Sequence, residues 1–370
     1  MRTAVIFVLL AGLASAQASD PEHLFQQAMS AQQRGDYPAA IRVYAALVKS
    51  HPDSVAARVN LGISLAHLNR FNEAISEYRA ALKLDPGNKD TELDLGLAYY
   101  KKGDFGDAAG QLSALHRSGP ENARVATLLA DCDVHLGRNE AALAILNPLE
   151  PVNTANLDFQ YVLGTALIHA GRLQDGASRV ETVADQGNSA DAYLLAGSTR
   201  LKLNDYAKAR RDLEAAIRLN PTLPGAYTLL GMTTEKIGDL DAAEGALRKA
   251  LQFNRDDYQA NLYLGAIFYG KRNLDEARRY LEHALLLNPS SQVAQYELAL
   301  VKNASGQTES AVTDLEHLER KYPDWLPAHV ELAALYYRLR RPDDGLKERQ
   351  IVERLTAKQQ ARGPVNFQEP

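Results

Sequence analysis

One pattern recurs ten times along this chain and restricts its fold more than any other feature. A small residue stands at Ala28, Gly62, Gly96, Ala130, Gly164, Gly197, Gly231, Gly265, Ala299 and Ala333, in steps of 34 residues with one step of 33 between Gly164 and Gly197. A second small column follows twelve residues later, at Ala40, Ala74, Ala108, Ala142, Gly176, Ala209, Ala243, Ala277, Ala311 and Gly345. All twenty positions are Ala or Gly. Two antiparallel helices can approach closely only where side chains at the crossing are small. A period of this length means one helical hairpin per repeat, each hairpin covering an apolar face that it cannot bury alone.

The segment LGISLAHLNRFNEAISEYRAALKLDPGN, Leu61 to Asn88, holds one whole unit. An aromatic or aliphatic column (Tyr44, Tyr78, Leu112, Leu146, Val180, Leu213, Leu247, Leu281, Leu315) is expected to fill the space beside the crossing. Proline at 52, 86, 120, 221, 289 and 323 marks the stop of the second helix, because proline cannot continue one. Gly35, Gly103, Gly137, Gly171, Gly238 and Gly306 stand where the first helix ends, a common place for a left-handed cap, and Asn69 and Asn204 take that place in two other repeats.

This pattern resembles the tetratricopeptide repeat family, from about Pro21 to Thr356. The resemblance implies an all-α fold, an α-solenoid in which about ten helix–turn–helix repeats stack into a right-handed superhelix. It implies a concave groove lined mainly by first helices, and a scaffold that binds peptides or proteins. The carboxylate clamp of one subgroup of the family is absent, since Phe25 and Met29 stand where its first Lys and Asn would be. An asparagine ladder known in another subgroup is matched only by Asn60.

The expected organisation is a signal peptide over 1–18, repeats one to four over 21–156, repeats five to ten with a capping helix over 157–356, and a disordered polar tail over 357–370. The N-terminus MRTAVIFVLLAGLASAQA has a charged start at Arg2, an apolar run from Ala4 to Leu13, and small residues at Ala14, Ala16 and Ala18. These are the three parts of a cleavable secretory signal, so export to a periplasm or the cell exterior is expected, with no stable membrane insertion after cleavage. Pro148, within NPLEPVNTAN, should stop the second helix of the fourth repeat early. The fifth repeat is short and its second helix ends without proline, so a weak or bent junction is expected near Asn147 to Ala190.

Charge excludes one class of partner. The chain carries 41 Lys and Arg against 46 Asp and Glu, net −5, whereas a nucleic-acid binder needs a basic excess on one face. The single cysteine cannot form an internal disulfide.

LLADCDVHLG, Leu128 to Gly137, gathers Asp131, Cys132, Asp133 and His135 and has the look of a reactive site. Register breaks it up. Cys132 lies two residues past the small column, level with Ser30, Ser64, Ala98, Ala166, Thr199, Thr233, Ile267, Val301 and Leu335, which reads as packing. Asp131 and Asp133 are expected on other faces of the helix. No phosphate loop, nucleophile elbow or zinc-protease pair occurs, and the other histidines have no ligand spacing, so no enzyme, cofactor or metal is expected.

His135 belongs to a column five past the small residue: His67, Lys101, His135, His169, Lys202 and Lys236 present His or Lys in six consecutive repeats. By the family resemblance this face lines the groove. Leu93, Tyr100, Tyr161, Leu194, Leu262, Tyr263, Tyr269, Tyr296 and Tyr337 run beside it. Apolar and phenolic surface with cationic points suits an acidic or C-terminal segment with hydrophobic anchors. The three histidines would strengthen such binding in mild acid. The competing reading of the column is a solvated edge. A second functional reading is an accessory role in envelope or exopolysaccharide assembly, with tyrosines stacking on sugars.

Overall fold

The computed structural model describes residues 20–361. The proposed signal segment and residues 362–370 lie outside them. Among the described residues there are twenty α-helices and no strand. Contacts divide the chain into two compact units that meet between Gly176 and Ala177.

The first unit stacks hairpins built from α1 (Pro21–Gln33) and α2 (Tyr37–Ser50), α3 (Val55–His67) and α4 (Phe71–Leu84), α5 (Lys89–Lys102) and α6 (Phe105–Ser118), and α7 (Ala123–His135) and α8 (Asn139–Leu146). It ends with α9 (Leu157–His169) and the first turn of α10 (Leu173–Gly187). The second unit takes the rest of α10, then α11 (Ala190–Lys202) and α12 (Tyr206–Leu219), α13 (Ala226–Ile237) and α14 (Leu240–Phe253), α15 (Tyr258–Gly270) and α16 (Leu274–Leu287), α17 (Gln292–Ala304) and α18 (Thr308–Lys321), and α19 (Leu326–Arg338) and α20 (Pro342–Ala361).

Local chemistry sets these boundaries. Side chains of Ser54, Asn88, Asn122, Asn156, Ser189 and Asp257 accept backbone N–H bonds at the starts of first helices, satisfying donors that a helix leaves open. Every first helix is followed, seven residues past its small-column residue, by a positive φ. Glycine or asparagine supplies eight of these turns, as the sequence implies, and Arg272 (φ 61°) and Arg340 (φ 59°) supply the other two. The hairpin geometry overrides local preference there, because the packed helices on either side dictate the turn.

The small columns are close approaches. A Cβ on Gly231 or Gly265 would lie 2.5 Å from Leu247 Cγ or Leu281 Cγ, and one on Gly62 would lie 2.6 Å from the Tyr78 ring. Each partner stands sixteen residues further on, in the second helix of the same hairpin. Pro148 acts as expected: α8 ends at Leu146 after eight residues, and a 3-10 helix, Asn147–Val152, replaces the missing turns. At the other end α20 runs through residues 357–361, where the sequence reading begins a disordered tail; Leu355 on its last turns is buried and anchors it. No helix among the described residues is long and apolar enough to cross a membrane.

The column of Cys132 is a core column. Ser64, Ala98, Cys132, Ala166, Thr199, Thr233, Ile267, Val301 and Leu335 are all buried, and Ser30, in the first described hairpin, is exposed. Burial, reinforced by Asp131 and Asp133, pushes the Cys132 thiol up to about 12. The thiolate is the reactive form, so native protein at pH 7.5 should take up almost no iodoacetamide over a time that fully labels the urea-unfolded chain. Mass spectrometry of the two samples checks this, and equal labelling would contradict it.

Candidate functional site

In the first unit, His67, Lys101, His135 and His169 are all exposed, at the last turns of α3, α5, α7 and α9. Two of the imidazoles lie on aromatic rings of the preceding hairpin. His67 stacks on Tyr37 at 4.3 Å between centroids and 10° between planes, and His135 stacks on Phe105 at 4.0 Å and 5°. Tyr37 and Phe105 open the second helices of those hairpins. These histidines therefore join successive repeats as well as facing solvent.

A cluster forms around His135. The Tyr100 ring meets Phe105 edge-on at 5.7 Å, and the Tyr100 hydroxyl donates to Asp131 Oδ2. Asp131 Oδ2 is 3.8 Å from His135 Nε2, and Lys101 Nζ is 5.9 Å from the centroid of the Tyr100 ring. Burial and the Asp131 carboxylate raise the Tyr100 phenol, so it stays a donor. The expectation that Asp131 faces away from His135 is corrected, because positions four apart share one helix face. Cys132 stays in the core and does not join the cluster. Tyr161 is half-buried on α9, and the His169 carbonyl accepts from Asn139 Nδ2 at 3.1 Å.

In the second unit Lys202 is exposed on α11. Lys236 Nζ lies 3.3 Å from Glu235 Oε2 and 6.0 Å from the Tyr263 centroid. Burial opposes its charge, and Glu235 and Tyr263 outweigh that and hold the amine above its ordinary value. Tyr269 and Tyr296 are half-buried, and Tyr296 meets Trp325 edge-on at 5.2 Å. Burial, with Glu331 and Glu297 adding to it, pushes the Tyr296 phenol up to about 12. Burial also raises the carboxyls of Glu297 and Glu331. Two of the expected side chains are engaged in packing to different degrees. Leu262 is in the core, and the Tyr337 ring, although exposed, lies against Gly345, where a Cβ would come within 2.9 Å of it.

Sequence reasoning missed Asp131, Phe105, Glu297, Glu331 and Trp325. Only the Asp131–His135 spacing offered a signal. Two hollows have linings that do not include these side chains. One of about 580 Å³ is bordered by Leu251, Arg279, Tyr280, His283 and Leu286, and one of about 500 Å³ by Ile75, Arg79, Lys83, Tyr99 and Lys102.

Models described as tetratricopeptide repeat match residues 25–89, 194–257 and 228–291, residues 65–130 and 101–155, and residues 293–324. No curated protein matches the sequence. Among solved structures, the APC/C hetero-tetramer Cut9-Hcn1 is similar with a TM-score of 0.52 at 13% identity, over 94% of this chain and 88% of that one. Yeast Tom70 gives 0.38 at 14% identity over 93% and 97%, and MamA 41-end from Desulfovibrio magneticus RS-1 gives 0.42 at 20% over 46% and 96%. The likeness to Cut9-Hcn1 is one of fold.

Proposed function

Since the chain belongs to the tetratricopeptide repeat family, whose solenoids generally bind proteins, we propose that it is a non-enzymatic scaffold holding a segment of another protein along its first helices. The observation that carries this reading is the exposed Lys101–Tyr100–His135 cluster around Asp131. Its aromatic surface is already ordered by Phe105 and Asp131, so a partner that covers it immobilises little side-chain freedom on this side. Lys101 and the neighbouring histidines of the first unit favour an acidic segment, with the tyrosines as apolar anchors.

We further propose export, on the charged, apolar and small-residue order of positions 2–18. Mass spectrometry of protein recovered from fractionated cells should find a mature N-terminus at Gln17 or Ser19; an intact Met1 in the cytosolic fraction would contradict export.

The binding reading is tested by photo-crosslinking from position 101 and, as a control, from position 83 on α4. A partner that crosslinks from 101 and not from 83, and survives glycan digestion, is the expected result. Lys101→Glu with Lys202→Glu should weaken that partner about tenfold. Equal crosslinking from both positions, or affinity unchanged in the double variant, would overturn the assigned face.

A further inference from the structure

Near the end of the second unit, three consecutive helices bring one metal-ligating side chain each to one point. Glu319 comes from α18, His329 from α19 and Glu348 from α20, and one ligand atom of each lies within 4.8 Å of the other two. His329 is 1% exposed and Glu348 6% exposed, and Glu319 is half-buried at the solvent side. The spacings of ten and nineteen residues match no ligand motif, so the sequence gives no hint of the cluster.

The ring orientation of His329 constrains its chemistry. Nε2 lies 3.0 Å from the Pro323 carbonyl oxygen. That oxygen can only accept, so Nε2 carries a hydrogen and donates it. Nδ1 lies 2.6 Å from Glu348 Oε2. In the neutral ring Nδ1 is a lone pair facing a carboxylate, with the Glu319 carboxylate close by. A positive centre among the three would face a lone pair and two carboxylates. A proton on Nδ1 is bonded to Glu348 and reaches Glu319 only through space, and Glu319 has no hydrogen bond or ion pair among the described residues. A histidine whose far nitrogen is fixed by a backbone carbonyl while its near nitrogen faces carboxylates is the arrangement proteins use to present imidazole to a metal.

We propose that Glu319, His329 and Glu348 bind one divalent first-row cation of the zinc class, through His329 Nδ1 and one oxygen of each carboxylate. Water would complete four-fold coordination from the exposed side of Glu319. The ion displaces the Nδ1 proton to solvent, and its two positive charges balance the two carboxylates. With ligand bonds of about 2.0–2.1 Å the nitrogen–oxygen separation widens to about 3.3 Å, within reach of a side-chain rotation of Glu348. Bound there, the ion ties the capping helix α20 to both helices beneath it.

The test uses the full chain, stripped with EDTA and dialysed against Zn²⁺ or Co²⁺. One equivalent of Zn²⁺ is expected to bind and to raise the melting temperature. The Co²⁺ form should show the visible absorption of a four-coordinate site. Glu319→Gln should weaken binding at least about tenfold and abolish that absorption, and His329→Gln should remove both. Glu319→Gln keeps the test informative if His329→Gln does not fold, because Glu319 has no partner to lose. Less than half an equivalent bound, no visible Co²⁺ absorption, or affinity unchanged in Glu319→Gln would overturn the site.

Discussion

Arg200→Met is expected to destabilise the α10–α12 region of the second unit by about 3–5 kcal/mol. Arg200 is a charged side chain with 1% exposure, and it sits among three acids. Its Nε lies 3.3 Å from Asp212 Oδ2, its Nη1 lies 3.3 Å from Asp205 Oδ2, and its Nη2 donates to Glu181 Oε2. Arg211 closes the network from the surface, donating to Glu181 and, at 2.7 Å, to Asp212 Oδ1. Asp212 is fully buried, so methionine leaves its carboxylate facing one arginine where it had two. Removing one partner of a buried pair costs far more than the intact pair contributes, because an uncompensated charge remains. Native-state hydrogen exchange of α11 and α12 measures the loss directly. Arg200→Met with Asp212→Leu should recover most of it, and a double variant no better than the single one would refute this account.

The pH dependence has a defined sign. Burial, against the pull of Arg211, holds the Asp212 carboxyl above the usual range. A group raised in the fold contributes stability that is present below its unfolded value and lost as pH rises through the raised one. Burial also opposes the charge of Glu181, but Arg211 and Arg200 outweigh it and hold that carboxyl below its ordinary value. Its contribution is lost as pH falls through the lowered value. Arg200→Met pushes Asp212 up further and takes away one of the two arginines that hold Glu181 down, so the gap between wild type and variant should narrow on acidification. A gap that widens would be the wrong sign.

Gly176→Ala is the second large effect, about 2–3 kcal/mol destabilising. The added Cβ would stand 2.7 Å from the Gly164 carbonyl oxygen, 2.9 Å from Ile168 N and 2.6 Å from Ile168 Cγ1. Two of these atoms are backbone, so relief requires α9 and α10 to part. At Gly265 the two nearest atoms, Leu281 Cγ at 2.5 Å and Cδ2 at 2.7 Å, belong to one side chain and the nearest backbone atom is 3.4 Å away, so the leucine can shift without parting the helices and Gly265→Ala should cost less. At Gly245 nothing lies within 4 Å. Gly245→Ala should therefore stabilise by about 0.5–1 kcal/mol through helix propensity alone. Urea midpoints of the three variants test the ranking. Gly176→Ala melting level with Gly245→Ala would mean that the helices are not in contact at this crossing.

How far this protein can be read from sequence follows from where its contacts lie. The hairpins, the early stop at Pro148, the left-handed turns and the burial of Cys132 were legible, because each depends on residues within one repeat. What escaped notice joins different repeats or different helices at offsets the columns do not display. His67 lies on Tyr37 and His135 on Phe105 at a distance of thirty residues, and Tyr100 reaches Asp131 across thirty-one. Arg200 and the Glu319–His329–Glu348 group were invisible for the same reason: a charged letter in a helix says nothing of the acids that neighbouring helices turn toward it. Leu262 stands in a column beside the expected binding face, and its burial in the core shows that column position alone does not give exposure.

The sixteen-residue interval between each glycine and the large side chain it admits has a consequence for how such chains change. Both halves of a close approach are encoded inside one 34-residue block, so copying or losing a whole block keeps every crossing intact. Adding or losing one residue within the interval breaks a crossing outright. The one short repeat obeys this rule. The twelve residues from Gly164 to Gly176 are kept, as are the sixteen from Gly197 to Leu213, so the missing residue was taken from between Gly176 and Gly197. By this rule a chain of this kind can change length by whole repeats and, at the scale of single residues, only between crossings.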